Sequence, residues 1–225
     1  MTRSTQDGAV KDLVRRHWND RAATFDAAAH HGIHSAEQRE RWLDVLREWV
    51  GDEPRRVLDV GCGTGVVSHL LVALGHDVVG VDFAAAMLER AREKAGDAAN
   101  APAFVRGDAE TLPLQEDAVD CVAARHLVWT LPNPNAALQE WRRVTRPGGQ
   151  LLLVEGYWDH DEPWAEYEAM HEALPLYDGR PPDELADVLA RAGFADVTHD
   201  YLRDATLWGR EPRHDYYVMR ATVPR

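Results

Sequence analysis

The chain is poor in lysine, cysteine and uninterrupted apolar runs, and each shortage excludes a class of protein. Lysine occurs only twice among 225 residues and the net charge is −13, so no basic face is expected for the phosphates of a nucleic acid. No apolar run approaches the ~20 residues of a membrane-spanning helix, and the polar N-terminus lacks signal-peptide character. Two cysteines, Cys62 and Cys121, are too few for a disulfide framework. A cytoplasmic protein without nucleic-acid or membrane partners is therefore expected.

The periodicity of apolar residues predicts alternating helices and strands. Helical spacing predicts helices over residues 8–28, 36–49, 66–74, 85–96, 135–146 and 181–193. Short apolar runs predict strands over residues 57–60, 77–82, 103–108, 118–124, 150–155, 195–199 and 216–221. The last two strands are expected to close the sheet in the antiparallel direction. The unbroken apolar run 151–154 indicates a central strand that is covered on both faces.

A glycine-rich turn follows the first predicted strand. Residues 57–65 are Val-Leu-Asp-Val-Gly-Cys-Gly-Thr-Gly, in which glycine lets the backbone bend sharply and a ligand approach closely. A dinucleotide fingerprint would need glycine at position 66, which is Val66, and no lysine of a phosphate-binding loop is nearby. Asp59 precedes the first glycine and would repel a pyrophosphate, so it suits a cationic ligand group better.

The stretch 57–65 resembles the first motif of class I S-adenosylmethionine (SAM)-dependent methyltransferases. Residues 18–26, around Trp18, Ala22, Phe25 and Asp26, are similar to the opening helix of the small-molecule, ubiquinone/menaquinone-methylase type (methyltransferase type 11), with phenylalanine in place of the usual tyrosine. Gly-Asp-Ala at 107–109 and Arg-Pro-Gly-Gly at 146–149 continue the resemblance, which covers nearly the whole chain.

The resemblance implies an α/β fold with a doubly wound, mostly parallel seven-stranded Rossmann-like sheet and added N-terminal and lid helices. It also implies methyl transfer from SAM to an N, O, S or C nucleophile of a small molecule, with S-adenosylhomocysteine as the product. A single domain over 1–225 is expected, since no repeat or linker occurs. Its parts would be an N-terminal helical cap (1–50), a cofactor-binding core (51–156), a lid insertion (157–180), and a C-terminal helix with closing strands (181–225).

Acids at strand ends are candidate cofactor ligands. Asp82 lies about twenty residues beyond the glycine turn, where an acid accepts hydrogen bonds from ribose hydroxyls, although it is also a possible helix N-cap. By the resemblance, Asp108 bonds the adenine amino group. The complete expected cofactor-binding set is Asp59, Gly61, Cys62, Gly63, Gly65, Asp82, Phe83, Met87, Asp108, Ala109, Arg125 and Phe25.

Two histidines are candidate acid/base groups. His126 follows the fourth predicted strand, at the sheet edge where ligands bind, and its side chain titrates near neutral pH. A structural histidine is an equal alternative. His34, in the loop that contains His30 and His31, is the second candidate. Three histidines in five residues also suggest a metal, but no cysteine or carboxylate stands at zinc-ligand spacing beside them, so no metal is expected. Ser35 is a predicted N-cap, with Gln38 as its capping-box partner.

The segment 156–180 alternates aromatic and acidic residues. As a substrate lid it would favour a cationic or polyhydroxylated aromatic molecule, and as an amphipathic helix it would merely pack its aromatic side chains. Asp159, His160, Glu168 and His171 have no specific metal-ligand spacing.

Two other functions share these cofactor residues. A non-catalytic SAM-binding regulator would retain them all, whereas an NAD-dependent oxidoreductase is disfavoured by Val66 and Asp59. The acceptor is expected to be a small molecule and the protein a monomer or homodimer.

Overall fold

The structure is a computed structural model that describes residues 3–96, 98–158 and 164–225, with side chains for all of these except 3–6 and 166. Seven strands form one sheet in the order β3-β2-β1-β4-β5-β7-β6. The strands are β1 (Arg56–Val60), β2 (Asp77–Asp82), β3 (Ala103–Arg106), β4 (Val119–Arg125), β5 (Thr145–Tyr157), β6 (Ala195–Tyr201) and β7 (Asp215–Thr222). The expected doubly wound α/β fold with a mostly parallel seven-stranded sheet is confirmed.

Only one strand runs against the others. Strands β1 to β5 pair in parallel, and β7 pairs antiparallel with both β5 and β6. Both pairings of the two closing strands are therefore antiparallel, as predicted, and β6 itself runs in the direction of β1. The cause is the strand order, because β7 inserts between β5 and β6 and reverses direction at each pairing.

Helices cover both faces of the sheet. They are α1 (Arg3–Arg21), α2 (Ala36–Val50), α3 (Val66–Ala73), α4 (Ala85–Ala95), α5 (Pro134–Val144), α6 (Pro182–Arg191) and α7 (Ala205–Trp208). Alternate residues of each strand face opposite cores. Val57 packs with α2 and α3, whereas Leu58 and Val60 pack with α5 and α6. None of the helices in the described parts of the chain is both long and apolar enough to cross a membrane.

Two predicted helical segments and one predicted capping box differ from those observed. The first helix ends at Arg21 rather than near residue 28, and a 3-10 turn, Phe25–Ala27, follows it. The Ser35 hydroxyl does accept from the Gln38 amide at 3.0 Å, but the Gln38 side chain accepts from the amide of His34 instead of completing the capping box. Among residues 164–180 the lid contains two 3-10 turns and no α-helix.

Glu155 fixes the segment that follows β4. Its carboxylate, which is 2% exposed, accepts hydrogen bonds from the amides of Leu127 at 3.0 Å and Val128 at 2.9 Å. Burial raises the pKa of Glu155 to about 8 against the lowering effect of these two amides. The unfolded carboxyl titrates near ~4.3. Between these values the folded state binds more protons, so the stability contributed by Glu155 is present at low pH and lost as pH rises through about 8.

Glu155→Gln removes this titration while keeping an oxygen acceptor for the two amides. We expect the free energy of unfolding of the variant, relative to that of the natural chain, to rise between pH 5 and pH 8 by at most about 1.4 kcal/mol per pH unit. Urea unfolding at both pH values measures this difference. The matched control is Glu89→Gln at an exposed position of α4, which should show a constant difference. A constant difference for Glu155→Gln would show that Glu155 is ionised across this range.

Candidate functional site

A cavity of about 260 Å³ lies at the carboxyl ends of β1, β2 and β4, beneath α1. Ligands of open parallel sheets bind at this edge, where neighbouring connections leave in opposite directions. Ten of the sequence-predicted site residues line it: Phe25, Gly61, Gly63, Asp82, Phe83, Met87, Asp108, Ala109, Arg125 and His126. Residues from the strands and from the N-terminal segment therefore meet in one cavity.

The glycine turn forms one wall of the cavity. Gly61 and Gly63 have φ of 64° and 54°, in the left-handed region that glycine adopts without a Cβ penalty. A Cβ at Gly61 would lie 2.6 Å from the side chain of Leu127, so this position also requires glycine for space. The turn thus presents bare backbone to the cavity.

Asp82 stands at the end of β2 beside this turn. One carboxylate oxygen accepts from the amide of Gly63 at 2.9 Å and the other from the amide of Ala84 at 2.8 Å. Burial raises the pKa of Asp82 to about 6, and the backbone amides oppose this rise. A carboxylate has about four acceptor positions, so both oxygens can accept further bonds from a ligand. The N-cap alternative for Asp82 is wrong, because Ala84 is the N-cap of α4 and Asp82 accepts from the Ala84 amide in the turn before the helix.

Asp108 and Glu110 form an acidic end of the cavity. Lys11 of α1 contacts the Asp108 carboxylate at 2.7 Å and the Glu110 carboxylate at 2.6 Å. The second Asp108 oxygen accepts from the Glu110 amide at 2.9 Å. The acid predicted at this strand end is therefore paired with a cation from the cap, an interaction that the sequence did not indicate.

The N-terminal segment is held to the glycine turn through Asp26. The Asp26 carboxylate accepts from the hydroxyl of Thr64 at 2.6 Å and contacts Lys94 of α4 at 2.6 Å. Within α1 itself, the Asn19 side chain accepts from the amide of Ala86 at 3.0 Å. These contacts close the cap over the cavity.

Asp59 and Gly65 lie behind the turn and do not line the cavity. Asp59, which is 1% exposed, accepts from the hydroxyl of Ser68 in α3 at 2.5 Å, and burial raises its pKa to about 7. Because side chains alternate along β1, Asp59 faces the helix layer on the side of Val57. Gly65 starts α3, where a Cβ would lie 2.8 Å from the ring of Phe104.

Cys62 and His34 are also placed away from the cavity. The Cys62 thiol is buried beneath the turn, and a Cβ at Gly80 would approach its sulfur to 2.9 Å. His34 is exposed on the cap, with its Nε2 3.3 Å from the carbonyl oxygen of Ala28. The structure therefore does not place His34 near a reacting group, because the loop turns it outward.

Arg125 braces the cap from the end of β4. Its guanidinium donates to the carbonyl of His31 at 2.5 Å and lies 5.3 Å from the ring centroid of Trp42. Burial lowers the pKa of Arg125 to about 10, against the raising effect of Asp59 and Asp26. Arg125 therefore contacts the N-terminal segment directly, and it also lines the cavity.

His126 lies at the floor of the cavity in an unusual conformation. Its φ is 55°, a left-handed value that is uncommon for a residue other than glycine. Both ring nitrogens are buried and have no hydrogen-bond partner among the described residues. The rings of Trp158, Trp208 and Tyr216 surround it, at centroid distances of 5.6–6.0 Å. Burial, together with the positive charge of Arg125, lowers the pKa of His126 well below its usual value, so the imidazole is neutral.

Aromatic side chains form a second wall of the cavity. We define this aromatic wall by the cavity-lining rings of Trp18, Trp129, Trp158, Trp164 and Tyr167. Trp129 is its centre, with the other four rings at centroid distances of 5.1–6.4 Å. The indole Nε1 of Trp129 is buried without a hydrogen-bond partner among the described residues.

The acids of the lid do not share this wall. Glu168 and Glu172 are exposed, whereas Trp158, Trp164 and Tyr167 turn inward because their burial removes apolar area from water. Asp159, His160, Asp161 and Glu162 lie outside the described residues. The described part of the lid therefore gives no support to an acidic surface for a cationic substrate.

Two histidines of the cap, His30 and His31, lie side by side with ring centroids 4.0 Å apart, whereas His34 is exposed on the outside of the cap. His31 stacks on Phe25 with centroids 4.1 Å apart, and His30 lies 3.4 Å from Arg210. Within the described ranges, no group of three or more His, Cys, Asp or Glu side chains could hold a metal ion.

Sequence reasoning did not single out several cavity residues. Lys11, His17, Trp129, Glu110 and Tyr216 line the cavity although no local motif marks them. The aromatic richness of 156–180 was the one available signal for the wall. Tyr216 comes from β7 and reaches the site only through the strand order.

Comparisons with known proteins agree with this architecture. A family described as methyltransferase domain matches residues 58–153. Demethylmenaquinone methyltransferase of Renibacterium salmoninarum is 34% identical over 64% of this chain and 59% of its own length. Malonyl-acyl-carrier-protein O-methyltransferase of Laribacter hongkongensis is 32% identical over 86% of this chain and 67% of its own length. The other curated relatives are matched over 41% to 81% of their own lengths, and the chain spans less than two thirds of most of them.

A solved structure shows the same fold. Phosphoethanolamine N-methyltransferase 2 of Haemonchus contortus, in complex with phosphomonomethylethanolamine and S-adenosylhomocysteine, superposes with a TM-score of 0.73. The match covers 96% of this chain and 60% of that chain at 15% sequence identity.

Proposed function

The chain belongs to the methyltransferase-domain family, and from this membership we propose that it transfers the methyl group of SAM to a small-molecule acceptor. The observation that carries the proposal is the single cavity that the glycine turn, the aromatic wall and His126 line together. Both partners of a direct displacement must meet in one cavity, and this one has a wall suited to each.

The residues at the glycine end fit the cofactor. The bare backbone of Gly61 and Gly63 would lie along it, and Asp82 has free acceptor positions for two ribose hydroxyls. Phe83 and Met87 give the apolar contact that an adenine ring requires. When bound, SAM supplies a methyl group on a sulfonium, which is already activated for displacement.

Asp108 and Ala109 would complete the adenine site. The Asp108 carboxylate can accept from an exocyclic amino group, and Lys11 limits the negative charge that gathers beside it. Because Lys11 belongs to α1, closing the cap completes this end of the site. The same movement excludes water from the cavity.

His126 is the candidate proton acceptor. Its imidazole is neutral and its nitrogens have no partner among the described residues, so it can accept a hydrogen bond from the O–H or N–H of an acceptor. The aromatic wall would hold a flat apolar molecule in place for this contact. Alignment of the two substrates can itself lower the barrier by about 7–11 kcal/mol.

The relatives do not identify the acceptor. Their names refer to demethylmenaquinone in one case and malonyl-acyl-carrier protein in another, which are chemically different. Our proposal is therefore restricted to a small molecule with a flat, apolar part. The two cysteines are free and buried, which supports the proposed cytoplasmic location.

Asp82→Asn tests the cofactor assignment. We expect calorimetry to show that the dissociation constant of S-adenosylhomocysteine rises about tenfold or more, because an amide oxygen is a weaker acceptor than a carboxylate and one acceptor oxygen is lost. Asp77→Asn, at the exposed opposite end of β2, is the matched control and should bind normally. Equal affinities of the two variants would contradict the ribose contact. Binding of NAD in place of S-adenosylhomocysteine would show that SAM is not the cofactor.

His126→Asn tests the proton acceptor. Asparagine tolerates the left-handed backbone at this position, so the variant avoids the strain that alanine would introduce. Once a substrate panel has given turnover, we expect kcat to fall about 10²-fold or more with little change in S-adenosylhomocysteine affinity. His34→Asn, on the outside of the cap, should keep full activity. Unchanged kcat in His126→Asn would exclude this residue as the base.

A further inference from the structure

Positive side chains converge at the mouth of the cavity in a chain whose net charge is −13. We define the basic rim as Arg21, His30 and Arg210. Arg21 and His30 line the cavity, and the Arg210 guanidinium lies 3.4 Å from Nδ1 of His30. Three distant segments, α1, the cap loop and the turn before β7, bring these groups together.

The pKa of His30 shows that the positive charges of several guanidinium groups act on its ring. Burial first, and then the positive charges of Arg210 and Arg125, lower the pKa of His30 to about 4. Arg21 contributes in the same direction. Protonation of His30 is thus opposed by cations from several sides, and an anion at the same place would be stabilised by them.

The rim arginines lack the carboxylate partners that many other arginines of the chain have. Arg41 pairs with Asp204 at 2.7 Å and Arg143 with Glu140 at 2.7 Å. Over the described side chains, by contrast, no carboxylate lies within ion-pair distance of Arg21 or Arg210. Their charges are therefore available to a ligand.

The lining of the cavity carries both signs of charge, with the acids Asp82, Asp108 and Glu110 and the basic groups Arg21 and His30. A continuous row of rings joins the rim to the aromatic wall. The ring centroids of His30 and His31 are 4.0 Å apart, His31 stacks on Phe25, and the ring centroids of Phe25 and Trp18 are 5.7 Å apart.

We propose that the acceptor carries an anionic group, a carboxylate or a phosphate, which binds at the basic rim while its apolar ring lies against the aromatic wall. The proposal rests on the proposed function, since it concerns the second substrate of the same cavity. It replaces the cationic substrate that the acidic composition of the lid suggested. A rim at the entrance also steers anions into a protein whose remaining surface repels them.

The test compares matched probes that differ in one charged group. Tryptophan fluorescence of the protein saturated with S-adenosylhomocysteine gives the dissociation constants of 4-hydroxybenzoate against 4-hydroxybenzamide, and of 4-hydroxyphenyl phosphate against hydroquinone. We expect at least one anion to bind about fivefold or more tightly than its neutral partner, and added salt to reduce the difference. The carboxylate and phosphate pairs distinguish the two sources of charge.

Substitution of the two exposed rim arginines tests whether they cause the preference for the anion. The double variant Arg21→Gln, Arg210→Gln should abolish the preference for the anion and leave the affinity of the neutral partner unchanged. Arg213→Gln, at a nearby exposed arginine that does not line the cavity, is the matched control and should keep the preference.

Three results would overturn the proposal: neutral probes that bind as well as the anions, failure of both anions to bind at millimolar concentration, or a preference that survives the double variant. S-adenosylhomocysteine binding, measured first by calorimetry, separates these outcomes from failure of the proposed function. Loss of that binding would reject the methyltransferase assignment, whereas intact binding without anion preference would reject only the rim.

Discussion

The closed site depends on one carboxylate, that of Asp26. It accepts from Thr64 in the glycine turn and contacts Lys94 of α4, so it ties the N-terminal cap to both elements that follow the first two strands. Lys94 also donates to the Thr64 carbonyl at 2.9 Å, which completes a small polar network. Each contact is partly exposed and therefore modest in energy. Contacts of this strength allow the cap to open without a large cost in free energy.

The groups that line the cavity come from two parts of the fold, the strand ends on one side and the cap and lid on the other. The strand ends supply groups whose positions are fixed by backbone hydrogen bonds, as with Asp82 on the amides of Gly63 and Ala84. The cap and lid supply rings and cations that come from helices and loops. A rigid cofactor end and an adaptable acceptor end follow from this division. It also explains how one fold serves different acceptors, since the second half changes without disturbing the first.

The sequence predicts the fold and the cofactor end because both are encoded locally. Strand, turn and acid lie within about thirty residues, and the spacing of Gly61 and Asp82 alone places them together. Asp59 shows the limit of this reasoning, because its identity suggests a ligand contact but strand alternation turns it towards Ser68. The acceptor end is less predictable. Tyr216 and Trp208 meet His126 only through long-range packing, and the outward direction of His34 follows from a loop geometry that no periodicity encodes.

The central claim is that the cap closes over a cofactor held by the glycine turn. Hydrogen–deuterium exchange with and without S-adenosylhomocysteine tests it most directly. We predict slower exchange in residues 8–27 and 61–70 together, with no change in the distant edge strand Ala195–Tyr201. NAD should produce no protection. Protection by NAD, or S-adenosylhomocysteine binding that leaves both segments unchanged, would contradict the account.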